Sequence, residues 1–221
     1  MRLIVCLVFL LFATGANAAE VLTGVPRIID GDTVVVNGQS IRLEGIDAPE
    51  AGQKCNKSSH GKWACGKQAI KALKQLIGNT TVHCHTQPKR DLYNRLIGTC
   101  YSKQVDLNAQ MVKQGYAWAF VKYSRKYLSQ ETEARRAHKG IWQAQTETAW
   151  DYRSHRWHMA KQEAPDKACP IKGNISGKGK IYHTPWSPWY SRTRINLKKG
   201  ERWFCTEDEA LKAGWRAPQW G

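Results

Sequence analysis

Thr33-Val34-Val35-Val36-Asn37-Gly38-Gln39-Ser40-Ile41-Arg42-Leu43 is the stretch whose reading decides the fold. Two runs rich in β-branched and apolar residues flank an Asn-Gly pair, the strongest short hairpin signal, because both central turn positions need positive φ. A two-residue turn fixes the register: Thr33 falls opposite Arg42, Asp32 opposite Leu43 and Asp30 opposite Gly45. The acidic flanks, Asp30-Gly31-Asp32 before and Asp47-Ala48-Pro49-Glu50 after, then gather with Arg42 at one end of the hairpin. Taken singly, each piece has a plain explanation. Asp-Gly-Asp suits a turn, Asp-Ala-Pro-Glu suits the start of a helix, and a strand arginine usually faces water. Collected carboxylates, however, repel one another unless something positive lies among them. An arginine serves, and so does a hard divalent cation with oxygen ligands.

Outward from the hairpin, residues 25–29 and 40–46 read as strands, and residues 80–86 and 95–101 as a further hairpin around a polar turn at 89–94. Ala69, Ile70, Leu73, Leu76 and Ile77 share one helical face before a Gly78-Asn79 stop. A second helix is expected from Asp106 to Gly115 and a third over residues 124–139, stopped by Gly140. The pattern predicts a mainly β, α+β fold: a small closed barrel packed on helices. Residues 146–161 are aromatic and basic, an extension helix or arm that packs back on the barrel, and 162–168 make a linker. From 169 to 221 the composition shifts towards Gly, Trp and Lys, marking a small separate module.

The N-terminus reads as a secretory signal peptide over residues 1–18. Arg2 precedes an apolar run too short to span a bilayer, and Ala16-Asn17-Ala18 is a small-x-small cleavage pattern. No later segment is long and apolar enough for an anchor, so an exported chain without a membrane anchor is expected. Cys55, Cys65, Cys84, Cys100, Cys169 and Cys205 remain, an even set that agrees with an oxidising compartment. Sequence leaves their connectivity open. Neighbourhood favours Cys55–Cys65, Cys84–Cys100 and Cys169–Cys205. Lys and Arg number 34 against 18 Asp and Glu, a formal charge of +16 that attracts polyanions, nucleic acid first among them.

With these residues in view, the chain resembles the staphylococcal nuclease (thermonuclease) family. The likeness runs through Ile29-Asp30-Gly31-Asp32-Thr33, Ile41-Arg42-Leu43 and Gly45-Ile46-Asp47-Ala48-Pro49-Glu50. It continues through Asp91-Leu92-Tyr93-Asn94-Arg95, Leu107-Asn108, Gln114-Gly115-Tyr116-Ala117 and Gly140-Ile141-Trp142, spanning roughly residues 21–145. The resemblance implies a five-stranded OB-like barrel with three helices. It implies one Ca²⁺ on the Asp32 and Asp47 carboxylates and the Ala48 carbonyl, with Glu50 as general base. Arg42 and Arg95 would grip the phosphate, Tyr93 and Tyr123 would belong to the nucleotide pocket, and products would carry 3′-phosphates. The expected enzyme is a monomeric phosphodiesterase acting on DNA and RNA. The alternative is a non-catalytic nucleic-acid-binding module on the same fold, but such relatives lack the catalytic carboxylates and arginines present here. Leu92 departs from the best-known members, which carry lysine there, and Ala48 replaces their usual threonine.

The tail, with Lys180-Ile181-Tyr182-His183 and the run from Trp203 to Arg216, resembles the small zinc module of the bacterial DNA-repair protein Ada. It lacks that module's Cys-x-x-Cys, so a disulfide is expected in place of zinc, with His183 as a structural hydrogen-bonding residue. Its Trp-rich, basic surface could hold nucleic acid by stacking and charge, or the tryptophans could pack into the miniature core that a module this small needs, the reading favoured here.

Overall fold

The computed structural model describes residues 20–218; the expected signal peptide and its cleavage point after Ala18 lie outside the described residues. The chain runs through β1 (Glu20–Gly24), β2 (Arg27–Ile28), β3 (Thr33–Val36), β4 (Gln39–Leu43), β5 (Ile46–Asp47), β6 (Cys55–Asn56) and β7 (Lys62–Trp63) into helix α1 (Cys65–Ile77). Next come β8 (Val82–Arg90), β9 (Leu96–Ser102), β10 (Val105–Asp106), α2 (Leu107–Lys113), β11 (Trp118–Ala119), α3 (Leu128–Arg136) and α4 (Ala149–Glu163). The tail adds β12 (Ile171–Ser176), β13 (Gly179–His183), β14 (Arg202–Phe204) and α5 (Glu207–Lys212).

The Asn37-Gly38 turn forms with φ of 48° and 79°. It sets Thr33 opposite Arg42, the expected register, and the Leu43 amide donates to Asp32 O at 2.8 Å. The strand expected over 25–29 forms only at residues 27–28; Pro26, which has no N–H to give a ladder, separates it from β1 at residues 20–24. That break is where the sheet curls. The main sheet runs β1-β8-β9-β4-β3-β2, so its two edge strands are neighbours in sequence and the corner at 25–26 bends the sheet round on itself. Asn37 Nδ2 ties the seam by donating to Thr23 O at 3.0 Å. With β10 added on β9 the sheet has seven strands, not five; the extra two are the Pro26 split and the short β10. The third helix is shorter than the expected 124–139, and residues 140–143 form a 3₁₀ turn.

Alternate residues of β3, β4, β8 and β9 point inward against α1 and α2, where Val34, Val36, Ile41, Leu43, Leu73, Leu107 and Met111 are almost fully buried. The β-face signal and the helical stripe therefore meet in one α+β core. All three disulfides expected from neighbourhood are present among the described residues: Cys55–Cys65, Cys84–Cys100 and Cys169–Cys205. Cys84 and Cys100 face each other across β8 and β9. No helix of the described residues is long and apolar enough to cross a membrane.

The tail folds on its own small core, Ile171, Tyr182, Phe204, Ala210 and Trp215, with Trp157 of α4 packed against it. His183 is buried in this module, its Nε2 3.1 Å from Asn174 Oδ1 and its Nδ1 3.3 Å from Ser187 Oγ. Burial, with Lys172 nearby, pushes its pKa down to about 4. Between the unfolded value of 6.5 and about 4, only the unfolded chain takes up this proton. Stability from this group is therefore complete above pH 6.5 and falls as the pH drops towards 4, by up to about 3 kcal/mol. Thermal denaturation from pH 7 to 4 checks this. His183→Gln should show a shallower loss than wild type, and equal slopes would refute the assignment.

Candidate active site

β3, β4 and β5 deliver their polar ends to one rim of the barrel. Arg42 pairs with Asp32 through Nη1 and donates from Nη2 to Asp47 Oδ1 at 2.6 Å. The other oxygen of Asp32, Oδ2, accepts from the Ala48 amide at 2.6 Å. Asp30 Oδ1 in turn accepts from the Asp32 amide at 3.0 Å, closing the turn that aims Asp32 inward. Asp47 is held from behind by its pairing with Trp118 across β5 and β11. Asn108, at the start of α2, donates to Glu44 O at 2.9 Å and accepts from the Cys100 amide at 3.2 Å, fixing the end of β4 against β9.

Arg95 stands one hydroxyl away. Its Nη1 lies 3.4 Å from Thr33 Oγ1, which itself donates to Asp32 Oδ1 at 3.3 Å. Asp91 holds the guanidinium through Nε and Nη2, both at 2.8 Å, and the Tyr93 ring centre lies 4.9 Å from its central carbon. The parallel pairing of β4 with β9, Ile41 opposite Leu96, places Arg95 on the same rim as Arg42. Tyr93 therefore joins this group. Tyr123 does not: its ring is 72% exposed and meets Phe120 at 4.9 Å, in an aromatic row that continues to Trp150.

Glu50 sits on the loop after β5. Gln53 grips that loop twice, accepting from the Glu50 amide through Oε1 at 3.1 Å and donating its own amide to Glu50 O at 2.7 Å. The Gln53 side chain also donates to Glu147 O at 2.8 Å, tying the loop to the approach of α4. From α4 comes a residue that the sequence did not single out for the site. Arg153 donates from Nη1 to Glu50 Oε1 at 2.7 Å and to Asp47 Oδ1 at 3.0 Å, and from Nη2 to Asp47 Oδ2 at 2.8 Å. The aromatic, basic composition of 146–161 signals an arm that packs back, but gives no sign of where one arginine of it ends.

Charge compensation shapes these groups. Burial alone would raise the Asp47 carboxyl, but the Arg42 and Arg153 guanidiniums outweigh it and hold the group below the usual carboxylate range. For Glu50 burial wins against Arg153, and its pKa is pushed up to about 7. Burial also raises the Glu207 carboxyl of the tail module, against the pull of Arg95. Glu207 accepts from the Tyr182 hydroxyl at 2.8 Å, a bond within the tail module. The Asp32 and Asp47 carboxylates and the Ala48 carbonyl offer only oxygen, a donor set that fits a hard divalent cation completing its shell with water and phosphate oxygens. Among the described residues no group of three or more His, Cys, Asp or Glu side chains is placed to hold a metal ion by itself.

A curled barrel that gathers carboxylates and forked guanidiniums on one rim defines a class: a fold built to handle phosphate oxygens. Residues 40–144 match the staphylococcal nuclease homologue family. Micrococcal nuclease from Shigella flexneri is 34% identical over 158 residues, covering 63% of this chain and 82% of that protein. The succinoglycan biosynthesis protein ExoI of Rhizobium meliloti (strain 1021) is 32% identical, covering 63% of this chain and 74% of its own length. A probable staphylococcal-like nuclease, CAN2, of Oryza sativa subsp. japonica is 33% identical, but the match spans only 34% of that longer protein. The chain belongs to the staphylococcal nuclease homologue family. Residues 150–217 match a different family, ArfC. That finding replaces the Ada-type reading of the tail, which rested on a partial likeness that already lacked the Cys-x-x-Cys.

Proposed function

We propose that this chain is an exported, Ca²⁺-dependent nuclease that hydrolyses phosphodiester bonds of DNA and RNA as a monomer, leaving 3′-phosphates. Its family and its nuclease relatives support the nuclease class. One observation carries the site assignment: Asp32, Arg42, Asp47 and Glu50 meet at a single rim, with Arg95 joined to them through Thr33. Arg42 and Arg95 offer planar, permanently charged forks to the phosphoryl oxygens, where negative charge grows during attack. Glu50, ionised, takes the proton of the attacking water, and Gln53 keeps its backbone in place. A cation held by Asp32, Asp47 and the Ala48 carbonyl would polarise a phosphoryl oxygen and help orient water. Tyr93, stacked beside Arg95, offers a face to the neighbouring base or sugar. The signal-like N-terminus and the disulfides support export to an oxidising compartment.

Purified mature protein incubated with plasmid DNA and with RNA tests this. Cleavage of both is expected with Ca²⁺, loss after chelation, return on adding Ca²⁺ back, and product ends that carry 3′-phosphate. Intact substrates at every cation concentration would end the nuclease reading.

A further inference from the structure

Residues 40–144 match the nuclease family and residues 150–217 match another, yet the carboxylates of the first are bridged by a side chain of the second. The Arg153 guanidinium sits between Asp47 and Glu50 and contacts both carboxylates within 3.0 Å. Asp47 is fully buried, Glu50 is 13% exposed and Arg153 23%, so little water screens the three charges. Its helix does not wander. Thr148 caps α4 by accepting from the Asp151 amide at 3.3 Å. Trp150 packs with Cys55, Cys65 and Trp118, and Arg156 donates to Pro185 O of the tail module at 3.1 Å. One turn of α4 is thus clamped between the loop of Glu50 and the tail.

We propose that Arg153 is a positioning residue of the nuclease site, an inference that rests on the nuclease reading above. It holds the Glu50 carboxylate at a fixed separation from Asp47, and its charge opposes the divalent cation that the same carboxylates attract. The two roles predict effects of opposite sign. Losing the tether lets the base drift from its water, a misplacement that costs about 10²-fold in rate. Losing the positive charge a few ångströms from the cation site tightens cation binding by about tenfold.

The test is a comparison of wild type, Arg153→Gln and Arg153→Lys in the full mature chain. Kinetics on an oligonucleotide should give Arg153→Gln a kcat lower by about 10²-fold with KM within a few-fold, and Arg153→Lys should recover part of that loss. Calorimetry with Ca²⁺ alone, without nucleic acid, should show Arg153→Gln binding more tightly by about tenfold and Arg153→Lys close to wild type. A purely structural arginine would weaken rate and Ca²⁺ binding together, and that result overturns the proposal. So does a kcat within twofold of wild type. If wild type itself leaves every substrate intact, the nuclease reading fails, and the calorimetry decides on Arg153: unchanged or weaker Ca²⁺ binding by Arg153→Gln rejects it.

Discussion

Glu50→Gln is expected to lower the cleavage rate by between about 10² and 10⁴-fold while leaving the protein folded. Glutamine keeps the size and the oxygen that accepts from Arg153, so the structure has little reason to change. What it cannot do is take the proton of the attacking water. The two arginines should follow with losses of about 10²–10³-fold each when changed to alanine, since each supplies a donor to growing charge. Arg95→Ala is the cleaner of the two. Its partner Asp91 is 17% exposed and can turn to water, whereas Arg42 neutralises the buried Asp32 and Asp47. Removing Arg42 takes the ion-pair partner from buried Asp32 and leaves Asp47 to Arg153 alone, so part of its effect will appear as lost stability, on the order of 3 kcal/mol. Steady-state cleavage of a defined oligonucleotide, paired with thermal denaturation, separates the two contributions. Should Glu50→Gln keep its rate within tenfold of wild type, Glu50 is not the base.

Gly66→Ala comes second. Gly66, the second residue of helix α1, lies directly against the loop of Glu50, and a Cβ there would meet the Glu50 carbonyl oxygen and carbon and lie 2.9 Å from the Ala51 Cα. These are backbone atoms, so no side chain can swing away to make room. The helix must retreat or the Glu50 peptide must shift. The Cys55–Cys65 disulfide and the Gln53 bonds resist either movement. A loss of about 3 kcal/mol in stability is expected, together with a fall in rate of about 10²-fold because the base is the residue displaced. Chemical denaturation and the same cleavage assay measure both. Wild-type rate in a destabilised variant would show that the loop yields without moving Glu50.

Much of this arrangement is legible in the sequence because it is local. Asn37-Gly38 dictates a two-residue turn, the turn dictates the register, and the register brings Thr33 beside Arg42 and the acidic flanks together. Ala69, Leu73 and Ile77 mark the buried face of α1 by spacing alone. Illegible features depend on contacts between distant segments. Pro26 marks a break, but that the strands on either side of it would sit at opposite ends of the strand order and curl the sheet is a property of the whole topology. Arg153 lies more than a hundred residues from Asp47 and shares no periodicity with it. Tyr123 differs for the opposite reason: a tyrosine in a basic, aromatic segment looks suited to a nucleotide pocket, and the structure sets its exposed ring edge-on against Phe120, apart from the cluster at the rim. Family resemblance covers the barrel rim well and gives no account of a neighbour that belongs to another family.

The bond between Cys55 and Cys65 spans the loop that begins just beyond Glu50 and ends where α1 begins. Before oxidation that span is an untethered excursion, and closing it removes chain entropy only once the thiols have been converted. The segment beside Glu50 would therefore reach its final stiffness only after oxidation, a step later than chain synthesis. Oxidation of two sulfur atoms would thereby set how firmly the neighbourhood of one acidic side chain is held.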